Sequence, residues 1–265
     1  MTDDIVQAAA DVLWDCWMQG RRIATIPAAL MPRTRSEGYA IQQRLEGRFG
    51  SPLFGWKIAA TSTAGQAHIN VDGPLAGRLL QERVIADGES VPLGANHMRV
   101  AEAEFAFRMG TDLRPRETAY STREVLDAVA TLHPAIEIPD SRFDDFTIVG
   151  AAQLIADNAC AHYFVLGPPA TVDWRSLDLA GHHAAARVVH QNGERIDRQG
   201  IGANVLGDPR DALAWLVNEL SSLDITLRAG ETVTTGTCLV PLPIESGDAI
   251  DVDFGVLGRV SARIR

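Results

Sequence analysis

The chain is short of cysteine, of positive charge and of long apolar runs, and each shortage removes a class of protein. Its three cysteines, Cys16, Cys160 and Cys238, are odd in number, far apart and without a Cys-x-x-Cys. That argues against a disulfide framework and a zinc knuckle and leaves reduced, mostly buried thiols as the expectation. Lysine and arginine total 24 against 34 aspartate and glutamate, a net charge of −10. Such a surface repels a phosphate backbone, so no nucleic-acid partner is expected. No apolar stretch approaches the ~20 residues of a bilayer-spanning helix, so no membrane partner is expected either. The segment from Met1 to Met18 carries Asp3, Asp4, Asp11 and Asp15 where a secretory signal would have a basic stretch and an apolar block, which points to the cytoplasm. No Gly-rich phosphate loop follows a strand, and no repeat, low-complexity tract or linker interrupts the chain. What remains is 265 residues, 46% hydrophobic and 22% charged, enough to bury a sizeable core.

Helical spacing opens the sequence. Thr2 is a candidate N-cap before an apolar stripe at Ile5, Ala8, Ala9, Val12, Leu13 and Cys16, with Gly20 as the stop. A second helix is expected from Ser36, using Tyr39, Ile41, Leu45 and Phe49 before Gly50. Trp14, Trp17 and Trp215 fall on helical stripes and read as core or subunit contacts. From Leu53 the texture changes to short alternating runs broken by Gly and Pro: Leu53 to Ile58, Val100 to Met109, Ala184 to His190, and Arg195 to Arg198 after the hairpin signal Asn192-Gly193. Ile250, Val252 and Phe254, then Val260, Ala262 and Ile264, form a closing meander. Two interior helices are expected: a capping box, Ser121-x-x-Glu124, before Val125, Val129 and Leu132, and Asp208-Pro209 before Leu213, Leu216, Val217 and Leu220. The pattern predicts one α+β unit, with a helical N-terminal region over residues 1–52 and a β-rich catalytic core over 53–265.

The chemistry gathers in three places. In a strand from Val100, the side chains of Ala101, Ala103, Phe105 and Phe107 share one face, so Glu102 and Glu104 project together from the other, their Cα atoms about 6.7 Å apart. A half-exposed strand with a charged outer face would read the same way. A third carboxylate, Glu137, sits in Pro134-Ala135-Ile136-Glu137-Ile138-Pro139, a run too apolar to be solvated. A buried charge without a partner costs about 3–5 kcal/mol, so a cation is the economical reading. Carboxylates without His or Cys suit a hard divalent ion such as Mg²⁺ or Mn²⁺. Lys57, between Trp56 and Ile58, either snorkels at a strand edge or stands near these glutamates. In the second case it stays charged, as an anion clamp or general acid. His182-His183 would point to opposite faces of a strand and makes a weak metal pair. Cys160 has no neighbouring His in sequence and reads as pocket wall, not nucleophile.

These residues, in this order, resemble the 2-keto-4-pentenoate hydratase and 4-oxalocrotonate decarboxylase family, within the fumarylacetoacetate hydrolase superfamily. The likeness runs through Tyr39-Ala40-Ile41-Gln42, Gly55-Trp56-Lys57-Ile58 with Thr61-Ser62, and Ala101-Glu102-Ala103-Glu104. It continues through Pro134 to Arg142, Ala156-Asp157-Asn158-Ala159, Val205 to Pro209, Thr235-Gly236-Thr237 and Gly255 to Val260. The resemblance implies a mixed β core of roll or barrel form, and Mg²⁺ or Mn²⁺ on Glu102, Glu104 and Glu137. It implies a small 2-oxo or 2-hydroxy acid chelating that ion, Lys57 as the acid/base group, and Asp72, Leu75, Asp157, Cys160, Thr235, Gly236 and Thr237 on the substrate side. It also implies a metal-dependent lyase of aromatic or related catabolism, in a homo-oligomer that can associate with a neighbouring pathway enzyme. Hydration of a 2-hydroxy-2,4-dienoate is the expected reaction, with decarboxylation of a 2-oxo-enedioate as the alternative. Two departures weigh towards the alternative or a changed substrate: Asp72-Gly73-Pro74-Leu75 replaces the hydratases' Asp-x-Pro-Asp, and Cys160-Ala161 replaces a Ser-Ser pair. Carbon–carbon hydrolysis with His68 activating water, and a non-catalytic ligand-binding or assembly subunit, are further readings.

Overall fold

The computed structural model describes residues 1–48 and 50–265. The expected place of Phe49 on the second helix lies outside the described residues. Helix α1 (Asp3–Gln19) follows Thr2, whose extended backbone starts the helix without its hydroxyl capping it, and ends at Gly20 in the left-handed conformation. Its stripe of Val6, Ala9, Ala10 and Leu13 packs with Ile26, Ile41, Phe143 and Ala156 in a small core of its own. Helix α2 (Arg35–Gln43) is capped by Thr34, whose hydroxyl accepts from Glu37 N. It is shorter than the spacing predicts. The backbone N–H groups of Arg44, Leu45 and Glu46 donate to carbonyls three residues back, so the helix tightens into turns, with Leu45 buried in them.

The chain then builds β1 (Leu53–Ala59), α3 (Thr63–His68), β2 (Leu75–Leu80), β3 (Val84–Ala86), β4 (Ser90–Val91) and β5 (Val100–Met109). Next come α4 (Thr122–Asp127), β6 (Val129–Ile138), α5 (Ala151–Ala156), β7 (Tyr163–Leu166), β8 (His183–Val189) and β9 (Arg195–Ile201). The last elements are α6 (Pro209–Ser222), β10 (Thr232–Thr237), β11 (Leu242–Pro243), β12 (Ala249–Asp253) and β13 (Arg259–Ile264). An eight-stranded sheet, ordered β2-β1-β10-β5-β6-β7-β3 with β11 paired to β5, curls as a half-barrel, and a five-stranded sheet runs β4-β13-β12-β8-β9. This is the mixed α+β architecture that the alternation of short strands and capped helices predicts. Phe105 of β5 meets Phe254, just after β12, edge to face at 4.8 Å between centroids, in the apolar core shared by the two sheets.

One expected element changes type. The capping box at Ser121 and Glu124 forms, but α4 stops at Asp127, and Val129 and Leu132 belong to β6. Pro134 cannot continue a helix, and β6 pairs with β5 from Val129 to Glu137, so sheet pairing overrides the local helical spacing. The hairpin at Asn192-Gly193 forms as expected, with β9 running on to Ile201. Asp208 caps α6 through its side chain, with Pro209 in the first turn.

The pairing that matters most for the site is β1 with β10, which is parallel and places Gly55 opposite Thr232 and Lys57 opposite Thr234. The strands approach so closely that a Cβ at Gly55, where φ is +159°, would stand 1.8 Å from Thr232 O. Gly55→Ala should therefore cost about 3 kcal/mol or more of unfolding free energy, measured by chemical denaturation. An unchanged midpoint would contradict this close approach.

Candidate metal centre

Alternation along β5 does what the spacing predicts: Ala101, Ala103, Phe105 and Phe107 enter the main core, and Glu102 and Glu104 leave on the other face. The antiparallel register sets Glu102 directly opposite Glu137 of β6, with Glu104 opposite Ala135. One carboxylate oxygen from each of the three glutamates lies within 4.8 Å of the others. Glu104 and Glu137 are fully buried and Glu102 is half-buried on a cavity wall. The charged-outer-face reading of this strand is thereby excluded.

Lys57 joins them from β1. That strand lies between β2 and β10, so Lys57 is not at an edge, and its side chain is buried. Its Nζ stands 3.1 Å from Glu137 Oε1 and donates to Ala159 O at 3.0 Å. Burial favours the neutral amine, but the charges of Glu137, Glu102 and Glu104 outweigh it and raise the Lys57 pKa above the ordinary lysine value. Burial pushes all three glutamates upward. At Glu102 the Glu137 charge adds to burial and Lys57 opposes it, which leaves the group at about 7.

The carboxylate oxygens differ in how they are held. Thr234 Oγ1 and Gly236 N both donate to Glu104 Oε2, which fixes the carboxylate and leaves Oε1 sealed from solvent without a donor. Both Glu137 oxygens are likewise buried without a hydrogen bond, the nearby ammonium lying out of line. Three carboxylates and one ammonium leave two negative charges to be balanced, and one divalent cation balances them. An all-oxygen set of this kind suits a hard ion, and the residues present therefore fit one.

A cavity of about 1150 Å³ opens beside this cluster, and Lys57, Glu102, Leu75, Cys160, Gly236 and Thr237 contribute to its lining. A Cβ on Gly236, which has φ +94°, would sit 2.2 Å from Thr61 Oγ1, so this irregularity in β10 requires glycine. Cys160 ends a run of three left-handed residues, Asn158, Ala159 and Cys160, that aims the Ala159 carbonyl at Lys57. Burial pushes the Cys160 thiol up to about 12, which suits a wall and not a nucleophile. His68 also lines the cavity, edge-on to the ring of Phe146, and not against a carboxylate. His182, ahead of β8, bonds Phe254 O through Nε2 while His183 is exposed.

Three expected substrate-side residues stand elsewhere. Asp72 is 85% exposed and pairs with Arg35 at 3.3 Å, because the turn before β2 points it outward. Asp157 is buried but spent: it accepts from Ser141 Oγ, Arg142 N and the Arg142 guanidinium. Thr235 alternates away from its neighbours and donates to Phe105 O at 3.1 Å.

A model of the family described as Fumarylacetoacetate (FAA) hydrolase C-terminal matches residues 66–265, a stretch that contains all three glutamates. The chain belongs to the FAA hydrolase family. It is 32% identical to the 2-keto-4-pentenoate hydratase of Paraburkholderia xenovorans (strain LB400), over 98% of this chain and 95% of that protein. It is 34% identical to 2-keto-4-pentenoate hydratase 1 of Dechloromonas aromatica (strain RCB), over 97% of this chain and 95% of that one. Among solved structures, 4-oxalocrotonate decarboxylase from Pseudomonas putida G7, complexed with magnesium and adipate, superposes with a TM-score of 0.88 at 27% identity, covering 100% of this chain and 99% of that one.

Within this FAA hydrolase fold Thr234, which orients Glu104, carries no expectation from the sequence, and Ala159, whose carbonyl holds Lys57, enters it only as part of a motif. Thr234 directly precedes the quoted Thr235-Gly236-Thr237 run, and strand alternation would have singled it out. Ala159 acts through its backbone, so its side chain carries no signal. The geometry predicts that Glu104→Gln, which removes one ligand charge at little change of shape, weakens Mg²⁺ or Mn²⁺ binding by at least tenfold in calorimetric titration while circular dichroism stays native. Unchanged metal affinity would remove Glu104 from the site.

Proposed function

We propose that this chain is a divalent-metal-dependent lyase that hydrates a 2-hydroxy-2,4-dienoate. The observation that carries the reading is the buried trio of Glu102, Glu104 and Glu137, with unpartnered oxygens, beside a charged Lys57 on the wall of one cavity. Its full-length relatives named as hydratases supply the reaction class. Mg²⁺ or Mn²⁺ held by the three glutamates would act as a Lewis acid for a substrate with adjacent carboxylate and 2-oxygen groups, stabilising enolate charge.

The chain's own side chains account for the rest. Lys57 is held protonated by its acidic neighbours, so it serves as an anion clamp and proton donor at Nζ, not as a resting base. In balance, tautomerisation moves the 2-hydroxyl proton to the tail carbon C5, and water then adds its hydroxyl at C4 and its proton at C3. The Cys160 thiol stays neutral and leaves no competing nucleophile beside the conjugated system.

A second reading, decarboxylation of a 2-oxo-enedioate, is favoured by one observation. Leu75, fully buried from bulk solvent, forms cavity wall where the hydratase pattern carries aspartate, and an apolar wall helps keep water from a dienolate.

Incubation with 2-hydroxypenta-2,4-dienoate and Mg²⁺ should remove the dienoate's ultraviolet absorbance and yield a product heavier by one water. A product of unchanged mass, or no consumption, would contradict hydration. Lys57→Met should lower kcat by about 10²-fold or more with the fold intact, and unaffected turnover would show that Lys57 is structural only. Leu75→Asp should raise kcat/KM for the dienoate relative to that for an oxalocrotonate-like diacid, since the new carboxylate offers water an acceptor and repels the distal anion. An unchanged ratio, with both activities present, would place Leu75 outside the reacting region.

A further inference from the structure

We infer that the part of the cavity away from the glutamates takes an uncharged aliphatic tail and rejects a tail that ends in a second carboxylate. The inference rests on the hydratase reading above and extends it to the end of the substrate that the reading leaves open. It also counts against a diacid, and so against decarboxylation of an enedioate.

The cavity's fixed charges are gathered on one wall. Among the described residues that line it, Lys57 is the one lysine or arginine, and Glu102 is the one acid. The Lys57 ammonium is already engaged, 3.1 Å from Glu137 Oε1 and 3.0 Å from Ala159 O. Much of the remaining lining is apolar: Leu75, Met98, Val100, Phe146, Leu206 and Leu239.

Three neutral side-chain donors on these walls are spent on the protein's own backbone, and the hydroxyls of Thr61, Ser62 and Thr63 that also line them carry no charge. Asn204 Nδ2 donates to Cys238 O at 2.8 Å, Thr237 Oγ1 to Leu239 O at 2.8 Å, and Gln66 Nε2 to Ala60 O at 3.1 Å. The lining histidines, His68 and His97, are exposed, so a carboxylate reaching them remains in water and gains little. A carboxylate seated short of them would be desolvated with no counter-charge, an arrangement that costs more than any contact with aliphatic walls returns. A methyl terminus carries no such cost. Each methylene it adds to the buried tail strengthens binding by about fourfold. Room is available, because about 1150 Å³ exceeds the ~300–1000 Å³ that usually accommodates a drug-sized ligand.

The contrast with the superposed decarboxylase is informative, because that structure carries adipate, a molecule with a carboxylate at each end. Among the described residues that line this cavity there is no free fixed cation for a second carboxylate.

The test reads binding and not turnover, so it stands apart from the hydratase assay. Calorimetric titration with saturating Mg²⁺ compares 2-oxoheptanoate with 2-oxoheptanedioate, which have the same carbon count and differ in a terminal methyl against a carboxylate. The monoacid should bind about 10²-fold more tightly. Met98→Arg, which adds a counter-charge to the lining, should bring the two constants within about tenfold. Val240→Arg repeats the change at a lining position that is 67% exposed, where folding is not at stake. Equal binding of the two acids, preference for the diacid, or failure of both to bind overturns the inference. A wild-type preference that neither arginine narrows overturns it as well, since charge would then not be the cause. Absence of hydration of any 2-hydroxydienoate would sink the function proposed above and leave this comparison intact.

Discussion

Two uncompensated negative charges at the inner wall of a cavity are the constraint around which this molecule is arranged. Glu102, Glu104 and Glu137 converge on one point, and Lys57 neutralises only one of them. An apolar core tolerates such a group only if its charge is balanced, since each buried ion left unpaired costs several kcal/mol. Burial instead drives the glutamates towards protonation, which a bound divalent ion would reverse by favouring the ionised carboxylates. The metal-binding reading follows from this imbalance, and the superposed decarboxylase, which is complexed with magnesium, agrees with it independently.

The fold answers the constraint by bringing the four groups from strands far apart in the chain. β5 supplies two carboxylates on one face, β6 sets the third opposite Glu102, and the parallel pairing of β1 with β10 brings in the lysine. Supports then hold Glu104 and Lys57. Thr234 and Gly236 hold one oxygen of Glu104, and the left-handed turn at 158–160 holds the ammonium from the other side. That turn is itself clamped to β2: Asn158 Oδ1 accepts from Arg78 N and Asn158 Nδ2 donates to Arg78 O, as a neighbouring strand would. Asp157, just before the turn, forms a buried ion pair with Arg142 and so ties the turn to the loop after β6. The energy of these contacts goes into positioning, which is what a reaction governed by electrostatic stabilisation requires.

What could be read from the sequence was what local periodicity encodes. Strict alternation in Val100 to Met109 told which face the glutamates would take, and two flanking isoleucines told that Glu137 would be buried. Lys57 could not be placed so firmly, because whether β1 lies at an edge depends on β10, some 175 residues later in the chain, and no local pattern reports such a pairing. The same limit explains the boundary between α4 and β6. Helical spacing at Val125, Val129 and Leu132 is real, but pairing with β5 claims the last two for a strand. Asp72 and Asp157 were illegible for a different reason: their types and motif positions suit a substrate, yet in the fold Arg35 and Arg142, neither adjacent in sequence, occupy their carboxylates. A charged residue's function depends on which partner reaches it first, and the partner is a tertiary fact.

The account stands or falls on whether one divalent ion completes the site. Metal-stripped wild-type protein can be titrated with Mn²⁺, with bound ion followed by electron paramagnetic resonance and 2-hydroxydienoate consumption followed in the same samples. Turnover should begin near zero, rise in proportion to occupancy and level off at one ion per chain. Full turnover in the metal-free protein, or a plateau unrelated to occupancy of a single site, would contradict it.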